Sequence, residues 1–120
     1  MTKTKQIQNP VIDIEFLRGI IENDKEFERE LFEIFVDNAK KNIEKLEEAI
    51  AVNDGNGWYM ASHAFKGAAT SVGAFELAKV LEDAQQSPEE NNTTKKAILG
   101  EVKEQFELVL DYINHNIIKK

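Results

Sequence analysis

Apolar residues recur at three- and four-residue spacing along nearly the whole chain, and no segment alternates with a period of two, so helices are what this sequence can build. From Phe27 onward the series is Leu31, Ile34, Phe35, Ala39, Ile43, Leu46 and Ile50. Trp58, Ala61, Phe65, Ala68 and Val72 form a second series, and Phe75, Leu77, Ala78, Leu81 and Ala84 a third. Ile98, Val102, Phe106, Val109, Ile113 and Ile117 form the last. Side chains so spaced share one face of a helix, and each stripe must be buried against another. The expected fold is all-α, an antiparallel up-and-down four-helix bundle. A short additional N-terminal helix, capped by Asp13 and carrying Phe16, Leu17, Ile20 and Ile21, is expected to cover one end.

Turn signals fall between these series. Asn23 and Asp24 offer a break and a fresh cap, and a helix from Asp24 to Ile50 would be about 40 Å long at 1.5 Å per residue. Asn53-Asp54-Gly55-Asn56-Gly57 is the strongest turn signal, and the central helix is expected to begin just after it. Gly73 is placed to end that helix in a left-handed conformation, and so short a connection implies an antiparallel hairpin with the next helix. Ser87-Pro88 closes the latter near Gln86. Glu44, Lys45, Glu47 and Glu48 read as a solvated face, and Glu26 with Glu30 is a repulsive pair, so packing rather than charge patterning must hold the helices.

With 120 residues, 42% of them hydrophobic, the chain suffices for one core: residues 1–10 are expected to be a loose tail and 11–120 a single domain. Cysteine is absent, which excludes disulfides and thiolate metal sites and fits a cytoplasmic setting. The start, MTKTKQIQNP, has no apolar run behind its lysines and reads as neither secretory signal nor anchor. No stretch is apolar for about 20 residues, so no membrane span is expected. A net charge of −7 without a basic run disfavours nucleic acid.

The central segment WYMASHAFKGAATSV carries the chemistry. Opposite its apolar stripe, Tyr59, His63, Lys66, Gly67 and Thr70 cluster on an outward face. Lys66 lies three residues and Gly67 four residues beyond His63, so an imidazole, an ammonium and a bare piece of backbone share one turn. Imidazole is a nucleophile near neutral pH, and a neighbouring ammonium tends to keep it uncharged and would attract a phosphoryl oxygen. Glycine within a helix costs about 1 kcal/mol against alanine, and close approach of a partner is the simplest return. Read alone, these residues also fit an ordinary surface histidine, an ordinary solvated lysine and small residues that ease helix packing.

The run His63-Ala64-Phe65-Lys66-Gly67-Ala68-Ala69-Thr70-Ser71-Val72-Gly73-Ala74, with Leu77 and Leu81-Glu82 after it, resembles the signature of histidine phosphotransfer (HPt) domains. That pattern is H-x-[LF]-K-G-[SA]-[SA]-x-x-[LIV]-G-[AL], and it spans the central third of the chain. The resemblance implies a phosphorelay intermediate of two-component signalling. His63 would accept a phosphoryl group from a receiver-domain aspartate and donate it to another receiver. It implies that Lys66 and Gln85 stabilise the phosphoryl group and that Gly67 lets the partner approach. Ala68 stands where serine is frequent, which removes one hydroxyl contact and leaves the chemistry.

The expected partner surface is Tyr59, Met60, Ser62 and Thr70 around His63, with Lys79, Glu82 and Gln86 on the neighbouring helix. Partners would be response-regulator receiver domains, including that of a hybrid histidine kinase, each bringing its own aspartate and Mg²⁺. The chain lacks a nucleotide-binding glycine pattern, so a phosphoryl carrier without kinase activity or cofactor of its own is expected, and it reads as a monomer. Two other classes compete. A di-iron carboxylate bundle needs Glu-x-x-His pairs, but Met60 and Tyr112 stand three residues before His63 and His115, so no metal site is expected and His115 reads as a solvated residue near a helix end. An adaptor binding receivers without carrying phosphate would suit the acidic surface and the Tyr59/Met60 shoulder, and leaves the His63, Lys66 and Gly67 combination without a purpose.

Overall fold

The computed structural model describes residues 10–118 and folds them into five helices. These are α1 (Ile14–Ile21), α2 (Lys25–Ala51), α3 (Gly55–Ser71), α4 (Phe75–Gln85) and α5 (Asn92–Asn116). Apart from Pro10, the expected N-terminal tail lies outside the described residues. Helix α2 packs on α3 and α5, and α4 packs on the same two, closing a four-helix bundle that α1 joins through α2. The expected architecture is the observed one, and no described residue lies in a strand. None of these helices is long and apolar enough to cross a membrane.

Four of the five helices start on a side-chain cap. Asp13, Asp24, Asp54 and Asn91 accept from the backbone N–H groups of Phe16, Phe27, Gly57 and Thr94, each satisfying an orphan donor of the first turn. Helix α4 has no such cap. Its start is set instead by Gly73, at φ 80°, which turns the chain out of α3. The Gly73 carbonyl also accepts from Asp13 N–H at 2.8 Å, tying the base of α1 to the α3–α4 corner. A Cβ at Gly73 would stand 2.8 Å from the Asp13 carbonyl oxygen, so both conformation and space demand glycine.

The core is a continuous set of apolar side chains from all five helices. Phe35 and Phe65 both lean on Phe106, at centroid distances of 6.5 and 6.4 Å, so α2, α3 and α5 meet through aromatic rings. Trp58 is fully buried, its indole N–H donating to the Ala84 carbonyl at 2.7 Å across the α3–α4 interface. Lys95 lies over the same ring at 5.5 Å and donates to the Pro88 carbonyl.

Several expectations change in detail. Helix α3 begins at Gly55 rather than after Gly57, because Asp54 folds back as the cap. A Cβ on Gly57 would meet an Asp54 carboxylate oxygen at 2.6 Å, and one on Gly55 the Pro88 carbonyl oxygen at 2.8 Å, so both glycines belong to the first turn. The buried seam of α3 passes through Ala69, with Ala68 only half-buried beside it. On α2, Phe32 is in the core while Ile34 is 66% exposed, and on α1 Leu17 is buried while Phe16 and Ile20 are exposed.

Glu28 is buried on α2 and takes a two-pronged contact from Arg18 of α1, 2.8 Å to Nε and 3.2 Å to Nη2. The Arg18 side chain is 29% exposed, so solvent tempers the pair. Glu28→Ala is expected to lower stability by about 1–2 kcal/mol, read as the urea midpoint, since it leaves a guanidinium without its partner.

Candidate functional site

Helix α3 presents its solvent face beside α4, and the antiparallel hairpin decides which residues meet. His63 is exposed on the third turn of that helix. Its Nδ1 lies 3.4 Å from Gln85 Oε1, at the last residue of α4. An amide oxygen only accepts, so this contact is a hydrogen bond when Nδ1 carries the ring proton, and in the neutral ring that leaves the Nε2 lone pair free. The Tyr59 ring, one turn back, stacks nearly parallel to the imidazole at a centroid distance of 6.0 Å and an interplanar angle of 8°. The ring is thus held at one nitrogen and along one face.

A second rung crosses the hairpin one turn further along. Lys66 Nζ donates to Glu82 Oε1 at 2.6 Å, and Gln86 Nε2 donates to the other oxygen of the same carboxylate. Hydrogen bonding from Lys66, then its charge, and then the Gln86 bond hold the Glu82 carboxyl below its ordinary range. A depressed carboxylate pKa gives a contact present above the ordinary value and lost only as pH falls through the lower one, so the rung stays closed throughout the neutral range.

Gly67 faces open space: a Cβ built there meets nothing within 4 Å. Thr70 and Met60 are exposed on either side, Met60 at 59%. The glycine is therefore not there for packing, and its substitutions separate fold from approach. Gly67→Ala is expected to raise stability by up to about 1 kcal/mol in thermal or urea unfolding, from helix propensity alone. Gly67→Gln should keep the fold and cut phosphotransfer from a phosphorylated receiver by at least about tenfold, about 1.4 kcal/mol in the transition state, measured as initial rate.

Most of the residues expected from the sequence gather here: His63 with Gln85 and Tyr59, and Lys66 with Glu82 and Gln86. Lys79 is exposed on α4 and pairs with Glu76 at 3.1 Å instead of joining either rung. Ser62 requires correction. It is fully buried, its hydroxyl donating to the Trp58 carbonyl at 2.7 Å, so it cannot belong to a partner surface. Satisfying the hydroxyl within its own helix is what lets this polar residue face the core. The Lys66 ammonium is engaged by Glu82 across the hairpin.

The link between Lys66 and Glu82 was available in the sequence without being read there. Lys66 follows His63 by three residues and Glu82 precedes Gln85 by three, the mirrored spacing of two rungs in an antiparallel pair. Among the described residues no group of three or more His, Cys, Asp or Glu side chains could hold a metal ion. His115 is exposed near the end of α5, its Nδ1 2.8 Å from the Asp111 carbonyl.

No curated protein sequence matches the chain. Among solved structures, the histidine-containing phosphotransfer protein B (HptB) of Pseudomonas aeruginosa PAO1 is similar in fold, with a TM-score of 0.76 at 21% identity over 85% of this chain and 90% of that one. The family model for the Hpt domain matches residues 30–112, from the second turn of α2 almost to the end of α5 and across both rungs of the site. The chain therefore belongs to the Hpt domain family, the histidine phosphotransfer proteins of phosphorelay signalling.

Proposed function

We propose that His63 is the phosphoacceptor and that Nε2 is its reacting atom. The observation that carries this reading is the His63–Gln85 contact, which occupies Nδ1 and leaves Nε2 without a partner on an exposed face. The Nε2 lone pair forms a bond to the phosphorus of a receiver's aspartyl phosphate as the P–O bond to the aspartate breaks. The aspartate carboxylate leaves with the electron pair. The ring keeps its proton on Nδ1, directed at the Gln85 carbonyl, and carries the positive charge until a second receiver's carboxylate attacks the phosphorus and the N–P electrons return to Nε2.

Such a transfer asks mainly for in-line positioning and charge neutralisation. This chain supplies the positioning: a helix-mounted ring fixed by Gln85 and Tyr59, with Gly67 leaving room for the partner one turn away. Lys66 is the nearest cation on the same face. Hpt proteins act with receiver domains of two-component systems. Here the partner is read as supplying the aspartate and its Mg²⁺, while this chain acts as a monomeric cytoplasmic carrier with no kinase activity or cofactor of its own. Receivers of hybrid histidine kinases are included among the donors. The test is incubation with a ³²P-labelled receiver domain. The label should move to this chain, survive base and be lost in acid, as a phosphoramidate is. Tight binding without label would favour an adaptor instead.

A further inference from the structure

We propose that Glu82 is a positioning residue for the phosphoryl group: it holds Lys66 in the resting protein and competes with phosphate for that ammonium once His63 is phosphorylated, keeping the phosphohistidine a ready donor. The inference rests on His63 being the phosphoacceptor and concerns what sets the energy of the carried group.

The two rungs of the α3–α4 hairpin place four polar groups at the corners of a quadrilateral. His63 faces Gln85, and Lys66 faces Glu82. Along each helix the rungs are three residues apart, so neighbouring corners lie about 5–6 Å from each other. Within that figure the charges are unequal in kind. Gln85 is neutral and fixes the ring, Lys66 is the cation, and Glu82 is an anion with both oxygens occupied, by Lys66 and by Gln86.

A phosphoryl group arriving on His63 brings negative charge and several acceptor oxygens. It would draw Lys66 toward itself. Glu82 opposes that twice: it keeps a share of the ammonium, and as a like charge at the opposite corner it repels the phosphate. Its depressed carboxyl pKa means that it remains charged and opposes at every neutral pH. Were the site built only to stabilise phosphohistidine, a neutral residue would serve better at this corner. A carrier has the other requirement, to give the group up. In the return transfer the N–P bond breaks toward the acceptor carboxylate, the electron pair goes back to Nε2, and Lys66 closes again on Glu82.

The experiment is the transfer equilibrium between this protein and one phosphorylated receiver, measured for the intact chain and for Glu82→Gln, Lys66→Ala and the double variant. Glu82→Gln keeps size and hydrogen-bonding capacity and removes the charge. It is expected to raise the ratio of phosphohistidine to phosphoreceiver by about fivefold, the size of a strong exposed charge contact, and to slow hydrolysis of the isolated phosphoprotein. Because the effect runs largely through the ammonium, it should shrink to under about twofold in the Lys66→Ala background. An unchanged ratio in Glu82→Gln, a shift toward the receiver, or a full fivefold shift that persists without Lys66 would each overturn the proposal. A merely structural role moves unfolding midpoints and does not produce this dependence on Lys66. Label that fails to reach the intact protein, or that reaches His63→Gln, overturns the phosphoacceptor reading itself and so is distinct from failure of the Glu82 inference.

Discussion

His63→Gln is expected to take no label from a phosphorylated receiver, a loss of at least about 10³-fold in transfer rate against the unsubstituted chain. The glutamine amide is comparable in reach to imidazole and can meet Gln85 across the hairpin, but its nitrogen lone pair is delocalised into the carbonyl and is not a nucleophile. The side chain is exposed and mid-helix, and Gln is a good helix former, so stability should change by no more than about 0.5 kcal/mol. The measurement is therefore clean: an unaltered melting curve beside an absent acid-labile, base-stable label. Label persisting in this variant would place the acceptor elsewhere. His115 would then be the next nitrogen to test, although among the described residues its ring is shown only against the Asp111 carbonyl.

The largest effect on the fold is expected at Trp58. Trp58→Ala removes a fully buried ring, its hydrogen bond to Ala84 and the surface on which Lys95 rests. A loss of about 3–5 kcal/mol is expected, enough to leave a domain of this size partly unfolded. Trp58→Phe separates the contributions. It keeps much of the apolar volume and loses the indole donor, while the Ala84 carbonyl still accepts from Ser87 N–H at 3.0 Å. A smaller loss, about 1–2 kcal/mol, should follow in urea unfolding. Because the indole bond joins α3 to α4, the variant should also loosen the register that brings Gln85 to His63, and transfer should fall with stability.

The helices were legible because their caps and stripes are local features. Asp13 and Asp24 mark two starts directly, and Gly73 marks the corner whose brevity forces α3 and α4 antiparallel. Gln85 was implied by the family resemblance alone, and the register of that hairpin brings it to His63. What could not be read is where polar and apolar residues break the simple inside–outside rule. Ser62 enters the core because its own helix satisfies it, and Glu28 is buried because Arg18 arrives from another helix. Lys95 is buried because a loop carbonyl at Pro88 accepts its ammonium. Each depends on a partner distant in sequence or on a rotamer, and periodicity carries neither. In the same way Phe16, Ile20 and Ile34 keep apolar character outside the core, where spacing alone would have put them in.

The imidazole sits at the waist of a 17-residue helix, eight residues from either end, exposed on its outer face and not on a loop tip. A convex mount of that kind cannot shelter two visitors together. Whoever delivers cargo there must depart before a recipient can take its place, so throughput depends on how fast each guest lets go as much as on the bond-making between them.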